Sequence, residues 1–472
     1  MSLGILRVGG VLEDRGFDVE MIDLSGIKNP QDVISSYVQS ERDVIDYGIT
    51  ATTPQVPASV RIRDTIKNLR PDAHIILGGP HVTLTNAAFK KEKLKLINGR
   101  ATKAFHKMTE TFDCLVAGDG EEAIFLALED PCLKLIDADD PKSNLFLKPY
   151  QLSEIPFPAR HLIDVSSYHH DIDGKNALNV ILQLGCPFAC GFCGGRNSPS
   201  FRRIRLRSTE SVVKEIRQIY TEYGTEAFMF HDDELNVNPE MINMLKGLIR
   251  LQEELGVNFL FRCFIKAQLF TDEQAKIMYQ AGFRRILVGF EAADPRILRN
   301  IRKSSTLEEN TRCMEIAKRH NLKVKALMSI GHPGESAETV EAVKNWLIQV
   351  EPHDFDVTII TTYCGTPYHD DAVPNEKMPG VWTYSIYGDN LHSYEVDYSI
   401  TEDYYKGKPD EGYCAYVFTD YLSSEELVRL RDLVEREVRT KLGIPYYNAG
   451  TVFEHSMGQG NIPSFILKKS NP

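Results

Sequence analysis

Three cysteines, Cys186, Cys190 and Cys193, stand together on a glycine-rich stretch and are the residues best suited to chemistry. Three of the nine cysteines fall within these eight positions, and an odd total spread over a long chain is not typical of a disulfide framework. A structural zinc site needs four nitrogen or sulfur ligands, and the adjoining loop offers no fourth Cys and no His. Three thiolates can hold a four-iron cluster and leave one iron open. The spacing therefore predicts an iron–sulfur site with an open coordination position.

Regular alternation of short apolar strands and helical stretches follows residue 176 and would position these cysteines. Parallel strands joined by crossover helices indicate a partial (β/α)6 barrel, whose chemistry lies at the carboxyl ends of the strands. The cysteines directly follow the first predicted strand. The predicted strands span 178–184, 227–230, 258–264, 285–290, 323–330 and 355–361, and the region after about residue 380 is predicted to be small and α-rich, with an amphipathic helix over 423–442.

A second alternation, over residues 18–121, predicts a doubly wound parallel sheet in an α/β domain. In such sheets ligands bind at the carboxyl ends of the strands, so the turns that follow them are candidate binding segments. No strand precedes the helix predicted over residues 3–15, so the sheet is expected to lack its first strand. The predicted strands are 19–22, 44–50, 75–77 and 114–117.

The Cys186, Cys190 and Cys193 triplet resembles the signature of the radical S-adenosylmethionine (SAM) superfamily. The resemblance implies that these cysteines are the catalytic metal ligands of a 4Fe-4S cluster and that SAM chelates the open iron through its amino and carboxylate groups. It also implies reductive cleavage of SAM to methionine and a 5′-deoxyadenosyl radical.

Further positions agree with this resemblance and are expected to bind SAM. Phe192 falls where the family places an aromatic residue against adenine. Glu234 falls where many members carry Gly-Gly-Glu, and it would accept a charge-assisted hydrogen bond from the methionine ammonium. The alternatives for this segment are helix capping by its acidic residues, or Asp232 or Asp233 in place of Glu234. The fourth and fifth strands end in segments similar to those that contact the ribose or methionyl part and the adenine, and these segments supply Glu291, Ile330 and Gly331.

The amino-terminal turns resemble those of the cobalamin-binding domain that is fused to one large radical SAM subgroup. This resemblance implies a flavodoxin-like domain with cobalamin as a further cofactor. The chain departs from the pattern in lacking the first strand and an Asp-x-His-x-x-Gly segment. The expected cobalamin-binding residues are Thr52, Thr53, Gln55, Gly78, Gly79, Gly118, Gly120 and Glu121. The expected divisions are a cobalamin-binding-like domain at 1–136, a linker at 137–171, a radical SAM core at 172–380 and a carboxyl-terminal region at 381–472.

Together the resemblances imply a cobalamin-dependent radical SAM enzyme, most simply a methyltransferase acting on an unactivated carbon. Such a carbon offers no acidic proton, so a radical must abstract hydrogen where a base cannot. Two alternatives stay open: a radical SAM cyclase or rearrangement enzyme that transfers no methyl group, and a non-catalytic iron–sulfur scaffold or redox sensor. The expected partners are a small-molecule or peptide substrate and an electron donor such as flavodoxin or ferredoxin.

Composition narrows the classes of partner. Lysines and arginines number 54 against 66 aspartates and glutamates, and the resulting net charge of -12 disfavours a nucleic-acid partner. No apolar run approaches the ~18 residues that span a bilayer, and no signal-peptide pattern opens the chain, so a cytoplasmic protein without a membrane span is expected. Arg205 or Arg262 could offset charge at the site, and Cys364 could donate a hydrogen atom or simply pack as a free cysteine.

Overall fold

The computed structural model describes residues 2–24, 27, 29–41, 43–168, 170–401, 409–410, 412–446 and a two-residue strand at 468–469. Its amino-terminal part alternates strands and helices, as predicted. The elements are α1 (Leu3–Asp14), β1 (Glu20–Met21), α2 (Pro30–Ser40), β2 (Asp46–Thr50), α3 (Val56–Leu69), β3 (His74–Gly78), α4 (Pro80–Leu94), α5 (Arg100–Thr111), β4 (Cys114–Gly118), α6 (Gly120–Glu129) and β5 (Leu135–Ala138).

Strands β2, β3, β4 and β5 form a parallel sheet in that order, and helices cover both of its faces. Side chains alternate along each strand, so neighbours point to opposite faces. Ile75 and Leu77 pack in one cluster with α2, α3 and α5, whereas Ile76 packs in another with α6 and with Val8 and Leu12 of α1. Burial on both faces explains why these strands are continuously apolar.

The strand predicted over 19–22 is not part of this sheet. Only Glu20–Met21 is extended there, and it pairs antiparallel with Lys468–Lys469. A flavodoxin-like sheet has the strand order 2-1-3-4-5, in which the second strand pairs with the first. Because no strand precedes α1 in the described residues, β1 has no parallel neighbour with which to pair.

The middle of the chain forms the predicted partial barrel. Its sheet has the order β14-β13-β12-β11-β10-β7-β6, in which the six strands other than β6 run parallel. The elements are α7 (Pro149–Glu154), β6 (Asp171–Ile172), β7 (Lys175–Val180), β8 (Gln183–Leu184), α8 (Pro199–Arg202), β9 (Arg205–Leu206), α9 (Thr209–Tyr223), β10 (Ala227–Phe230), α10 (Met241–Leu255), β11 (Leu260–Ile265), α11 (Asp272–Ala281), β12 (Phe283–Glu291), α12 (Pro295–Ile301), α13 (Leu307–Arg319), β13 (Lys323–Ile330), α14 (Ala337–Val350) and β14 (Asp354–Ile359).

Two boundaries differ from the prediction for physical reasons. The first barrel strand ends at Val180, because the carboxylate of Asp232 accepts from the next backbone amides and the chain then pairs as β8 with β9. The segment predicted as a linker opens inside β5 and is well packed, since Leu147 and Leu162 are fully buried. The segment was predicted as a linker because its sequence shows little helical or strand periodicity. Leu147 and Leu162 are nevertheless buried.

The described carboxyl-terminal residues contain α15 (Pro367–Asp370), β15 (Val373–Pro374), β16 (Val381–Ile386), β17 (Asp389–Tyr394), β18 (Val417–Thr419), α16 (Ser424–Leu442) and β19 (Lys468–Lys469). The predicted amphipathic helix is α16, capped by Ser423. The region is mixed rather than α-rich, because β15 to β18 form an antiparallel sheet. Its central hairpin turns at Tyr387 and Gly388, both with positive φ. No helix in the described part of the chain is long and apolar enough to cross a membrane.

Candidate active site

The cysteine loop follows β8 and is held in place by backbone contacts. Gly185 has φ +87°, and a Cβ there would lie 2.1 Å from the Arg203 carbonyl oxygen, so only glycine fits. The Cys186 amide donates to the Phe201 carbonyl at 2.9 Å. The Gly191 amide donates to the Ile301 carbonyl at 2.7 Å, and its carbonyl accepts from the Tyr368 amide at 3.0 Å. The loop is therefore clamped between α8, α12 and α15.

The three thiols of this loop are free and close enough to influence one another. Cys190 is buried, while Cys186 and Cys193 are partly buried. Burial is the main reason that the pKa of Cys193 is raised to about 12, and the neighbouring Cys190 and Cys186 contribute to this rise. Within the described residues, no three His, Cys, Asp or Glu side chains surround a single-ion position. A four-iron cluster is larger than one ion and binds each thiolate through a different iron, so three separated thiols on one loop fit it.

Two buried lysines, Lys266 and Lys303, lie beside the thiols, and of these the sequence pointed only to Lys266, at the end of the third barrel strand. The Lys266 ammonium lies 4.1 Å from the centre of the Phe188 ring and donates to the Lys303 carbonyl at 3.1 Å. Its backbone is fixed by Asn236, whose side-chain oxygen accepts from the Lys266 amide at 2.7 Å and whose side-chain nitrogen donates to the Lys266 carbonyl at 2.9 Å. The ammonium groups of Lys266 and Lys303 both interact electrostatically with Cys190, so they offset negative charge at the cysteine loop.

Glu234 offers a carboxylate oxygen to the space beside the cysteine loop. Its Oε2 is buried and has no hydrogen-bond partner among the described residues. Burial raises the pKa of Glu234 to about 7, against the lowering effect of Lys303 and Lys266. The side chain is close enough to Cys186 to affect the pKa of that thiol. An unpaired buried acceptor is costly, so this atom fits a cationic ligand group such as the SAM ammonium.

Asp232 has a different role from its neighbour Glu234. Its Oδ1 accepts from the backbone amides of Leu182 and Gln183, at 2.9 and 2.5 Å, and it therefore fixes the bend between β7 and β8. The Gln183 side chain in turn donates to the Glu234 carbonyl at 2.6 Å. These contacts orient the strand end that carries Glu234.

Glu291 lies in a buried polar network at the ends of β12 and β13. It has φ +67° at a β-bulge, and its two carboxylate oxygens accept from Lys303 at 2.8 Å and from the Ser329 hydroxyl at 2.7 Å. The Ser329 hydroxyl also lies 2.8 Å from Nε2 of His332, whose Nδ1 is 3.3 Å from the Tyr368 hydroxyl. Because both oxygens of Glu291 are engaged, its carboxylate organises this network.

Phe192, Ile330 and Gly331 lie around the same network. The Phe192 ring packs edge to face on His332, with 5.5 Å between ring centres. Ile330 is fully buried at the end of β13, and Gly331 has φ +88°. The Gly331 amide donates to the Glu335 carboxylate at 3.1 Å, which fixes the turn. The structure thus brings Phe192, Glu234, Glu291 and this turn to one end of the barrel, the end that carries the cysteines.

The predicted cobalamin residues fall in two groups. Thr52, Thr53 and Gln55 adjoin Gly78 and Gly79: the Gln55 side-chain oxygen accepts from the Thr52 amide at 2.9 Å, and a Cβ on Gly79 would lie 2.6 Å from the Thr50 hydroxyl. The second group lies at the next strand end and is packed by α1 and β5. A Cβ on Gly118 would meet the Ala138 backbone, one on Gly120 would meet Val8, and Glu121 pairs with Arg7 at 3.6 Å.

Unpaired polar atoms are buried near this second group. Asn86 lies on α4 between Thr83 and Lys90, and spacings of three and four residues place all three on one face of the helix. The Thr83 hydroxyl accepts from the Gly118 amide, and Lys90 pairs with Asp137. Both polar atoms of the Asn86 side chain lack partners in the described structure. The same holds for Oδ2 of Asp139, just past β5. Buried atoms of this kind fit a polar ligand at the strand ends.

The side chains of the remaining candidates contact groups other than the three thiols. Arg205 donates to Asp119 at 2.5 Å, so it joins the amino-terminal domain to the barrel. Arg262 is buried within the barrel and approaches His170 at 3.3 Å. Cys364 lies 3.6 Å from Nε2 of His369 on the loop after β14. Lys303 and Tyr368 were missed because they reach the network from other elements, Lys303 from the segment after α12 and Tyr368 from α15, which residue type and spacing alone do not reveal.

Two family models match separate parts of the chain. Residues 180–347 match the family model of the radical SAM superfamily, and residues 1–124 match that of the B12 binding domain. An uncharacterized methyltransferase of Pyrococcus horikoshii is 27% identical over 381 residues, which are 80% of this chain and 79% of the relative. The anaerobic magnesium-protoporphyrin IX monomethyl ester cyclase of Rubrivivax gelatinosus is 24% identical over 72% of this chain and 59% of its own length.

A solved structure shares the overall fold. The radical S-adenosylmethionine methyltransferase TsrM of Kitasatospora setae, solved with cobalamin and a 4Fe-4S cluster bound, superposes with a TM-score of 0.63 at 15% identity. The superposition covers 93% of this chain and 86% of the other. At this identity the likeness establishes the fold.

Proposed function

Because the chain belongs to the radical SAM superfamily and carries a B12 binding domain over residues 1–124, we propose that it is a cobalamin-dependent radical SAM enzyme that methylates an unactivated carbon. The observation that carries the proposal is the pairing of three free thiols on one clamped loop with the unpartnered carboxylate oxygen of Glu234 beside them. The thiols fit a 4Fe-4S cluster, and the oxygen fits the ammonium group of SAM.

In this proposal Cys186, Cys190 and Cys193 hold the cluster, and the SAM site is formed by Phe192, Glu234, Glu291, Ile330 and Gly331. Glu234 accepts from the ammonium, and Phe192 with the Ile330–Gly331 turn binds the adenine. Glu291 acts by holding Lys303 and Ser329, since both of its carboxylate oxygens are already used.

Cobalamin would bind at the strand ends of the amino-terminal sheet. Thr52, Thr53, Gln55, Gly78 and Gly79 form one part of that edge. Gly118 and Gly120 would offer backbone atoms at the other, with the unpaired side chain of Asn86 beside them. Glu121 would hold α1 against this edge through Arg7.

When bound, the cluster and SAM together supply a carbon radical, and cobalamin supplies a methyl group. The chain's own residues bind, orient and shield these groups. Buried Lys266 and Lys303 offset the charge of three thiolates, and the buried turn at Gly331 excludes water from one side. Precise placement is the protein's contribution, because the cofactors perform the bond-breaking steps.

The proposal extends to partners and to the division of the chain. The substrate is a small molecule or a peptide, and a flavodoxin or ferredoxin supplies electrons. The domains run over 1–136, 137–171, 172–380 and 381–472, with the sheet of the first domain continuing through β5 to Ala138. A net charge of -12 speaks against a nucleic-acid substrate.

Single substitutions Cys186→Ala, Cys190→Ala and Cys193→Ala test the proposal directly. Each removes one cluster ligand, so SAM cleavage should fall below detection and the iron content should drop. The measurement is 5′-deoxyadenosine formed under dithionite by anaerobically reconstituted protein. Cys132→Ala, which changes an exposed cysteine, is the matched control and should leave both values unchanged. Deoxyadenosine formed at the wild-type rate by a loop variant would contradict the proposal.

A cyclase is the second candidate function, favoured by the similarity to the magnesium-protoporphyrin ester cyclase. It would share the loop and the SAM site but transfer no methyl group. Incubation with methyl-labelled SAM distinguishes the two, because only a methyltransferase moves the label into product. A non-catalytic scaffold or redox sensor would show the cluster spectrum and release no deoxyadenosine.

A further inference from the structure

A cavity of about 220 Å³ lies between the amino-terminal domain and the loops that follow β14 and β17. Apolar side chains of α3 and α5, among them Val56, Ala104 and Met108, form one wall, and Cys364 and His369 contribute to the other. The turn that carries Cys364 also contacts the cysteine loop, since the Gly195 amide donates to the Gly365 carbonyl at 3.1 Å. None of the residues of the network around His332 lines the cavity.

Three side chains at this cavity form a chain of polar contacts. The Cys364 sulfur is 3.6 Å from Nε2 of His369, and Nδ1 of His369 is 2.9 Å from Oδ1 of Asp370. Asp370 is itself fixed, because it accepts from the Gly365 amide at 3.0 Å and from Asn197 at 2.8 Å. A thiol, a base within reach of it and a carboxylate that orients the base are the arrangement that activates cysteine nucleophiles.

A second cation, Arg100, adjoins the thiol. Its guanidinium donates to the His369 carbonyl at 2.7 Å and stacks 4.2 Å from the centre of the Trp382 ring. Glu92 fixes its position, since that carboxylate accepts from the Ala101 and Thr102 amides at the start of α5. Arg100 lines the cavity and is free to bind an anionic group there with its remaining donors.

The charges around His369 favour its protonated form. Burial opposes the charge, but Cys364 and Asp370 outweigh it and raise the pKa of His369 to about 9. Burial alone lowers the pKa of His81, on α4, to about 4, so that ring stays neutral. The other charged groups that line the cavity are Arg100, Lys103 and Lys107 of α5 with Glu395 and Asp397, and both lysines are paired with those carboxylates.

We propose that Cys364, His369 and Asp370 form a second reactive site, in which Cys364 attacks small carbon electrophiles and Arg100 binds an anionic group on them. The sulfur forms a bond to carbon, and the bond from that carbon to its leaving group breaks. The leaving group departs with the bonding electrons, and the proton from sulfur stays on His369, held by Asp370. No oxidant, reductant or bound cofactor takes part, so the site does not depend on the proposed SAM chemistry.

Alkylation of the full, anaerobically reconstituted chain by iodoacetate and iodoacetamide tests this site. Both reagents lose iodide to a thiolate, but only iodoacetate carries a negative charge. Rates at individual cysteines follow from mass spectrometry of the peptides. Exposed Cys132 and Cys414 are internal references in the same sample. We expect the iodoacetate-to-iodoacetamide rate ratio at Cys364 to exceed that at the references by about tenfold, because two cations face the sulfur.

Two variants complete the test. Arg100→Gln should remove the preference of Cys364 for iodoacetate. His369→Gln should slow the alkylation of Cys364 by both reagents relative to Cys132 and Cys414, because the base that takes the proton from sulfur is lost. If Cys364 resists both reagents in the folded protein, or shows the iodoacetate-to-iodoacetamide ratio of the references, the proposal is wrong, whether or not either variant folds.

Discussion

At the scale of single residues, the site is organised by charged groups buried next to one another. Glu291 and Lys303 neutralise each other, while Glu234 and Glu335 are buried without a cation in direct contact. Burial is unfavourable for an ionised carboxylate, so it raises the pKa of both Glu234 and Glu335 to about 7. The same end of the barrel therefore contains both an ion pair and two acids whose pKa is raised.

The raised pKa of Glu335 predicts how the stability of the protein changes with pH. Burial raises the pKa of Glu335 to about 7 in the folded protein, above the ordinary value of 4.5 that is expected in the unfolded chain. The folded state then binds more protons between these values, so this group lowers stability as the pH rises from about 4.5 to 7, by about 3 kcal/mol in total. Glu335→Gln should remove that loss. Its thermal midpoint relative to the wild type should therefore rise between pH 5 and pH 8.

The matched control is Glu315→Gln, which changes an exposed glutamate on α13. It should shift the midpoint equally at both pH values. A Glu335→Gln variant whose midpoint difference from the wild type is the same at pH 5 and pH 8 would show that Glu335 is ionised in the folded protein.

At the scale of elements, the cysteine loop depends on backbone that only glycine can adopt. Gly185 and Gly174 both have φ +87°, but a Cβ on Gly174 would meet nothing within 4 Å. An alanine at either position would strain the backbone, but only an alanine at Gly185 would also collide with a neighbouring atom. Gly185 immediately precedes Cys186, so its displacement moves the first cluster ligand.

We expect Gly185→Ala to reduce iron binding severely and Gly174→Ala to preserve it. Both variants incur roughly 1–2 kcal/mol for a left-handed backbone, but only Gly185→Ala must also displace the Arg203 carbonyl. The measurements are iron per chain after reconstitution and the thermal midpoint. Equal iron content in the two variants would indicate that the loop tolerates the displacement.

At the scale of the whole molecule, a buried ion pair joins the amino-terminal sheet to the barrel. Arg205 and Asp119 are both buried, and Asp119 also accepts from the Leu147 amide at 2.9 Å. The Arg205 guanidinium stacks 4.5 Å from the centre of the Phe146 ring. The segment after β5 is thus anchored to both halves by one pair of side chains.

Breaking this pair should be more harmful than replacing it. Asp119→Leu leaves Arg205 buried without its carboxylate, and we expect a loss of about 3–5 kcal/mol. The double variant Asp119→Leu/Arg205→Met removes both charges and should recover part of that loss. Thermal unfolding and proteolysis within residues 139–170 measure the effect. If the double variant loses as much stability as Asp119→Leu and Arg205→Met combined, the two side chains are not coupled.

The sequence alone determined much of the fold and the position of the cysteine loop. Local apolar patterning specified five of the six parallel barrel strands to within about three residues, because each strand and its helix bury their own apolar faces. It also indicated the cysteine loop, whose three ligands are close in the chain. The apolar pattern gave a wrong prediction at 19–22, where pairing depends on a neighbouring strand. It also misplaced the end of the first barrel strand, which ends at Val180 because the Asp232 carboxylate, just after β10, binds the next backbone amides.

Only the tertiary structure revealed the relations between distant residues. Lys303 contacts Glu291, Ser329 contacts Glu291, and Arg100 contacts the turn of Cys364 and His369, across separations that leave no periodic signal. Sequence periodicity reports which face of an element is buried, and residue type reports what chemistry is available. Which polar groups meet inside is decided by how the elements pack, because a buried charge is stabilised by whichever partner the fold brings to it.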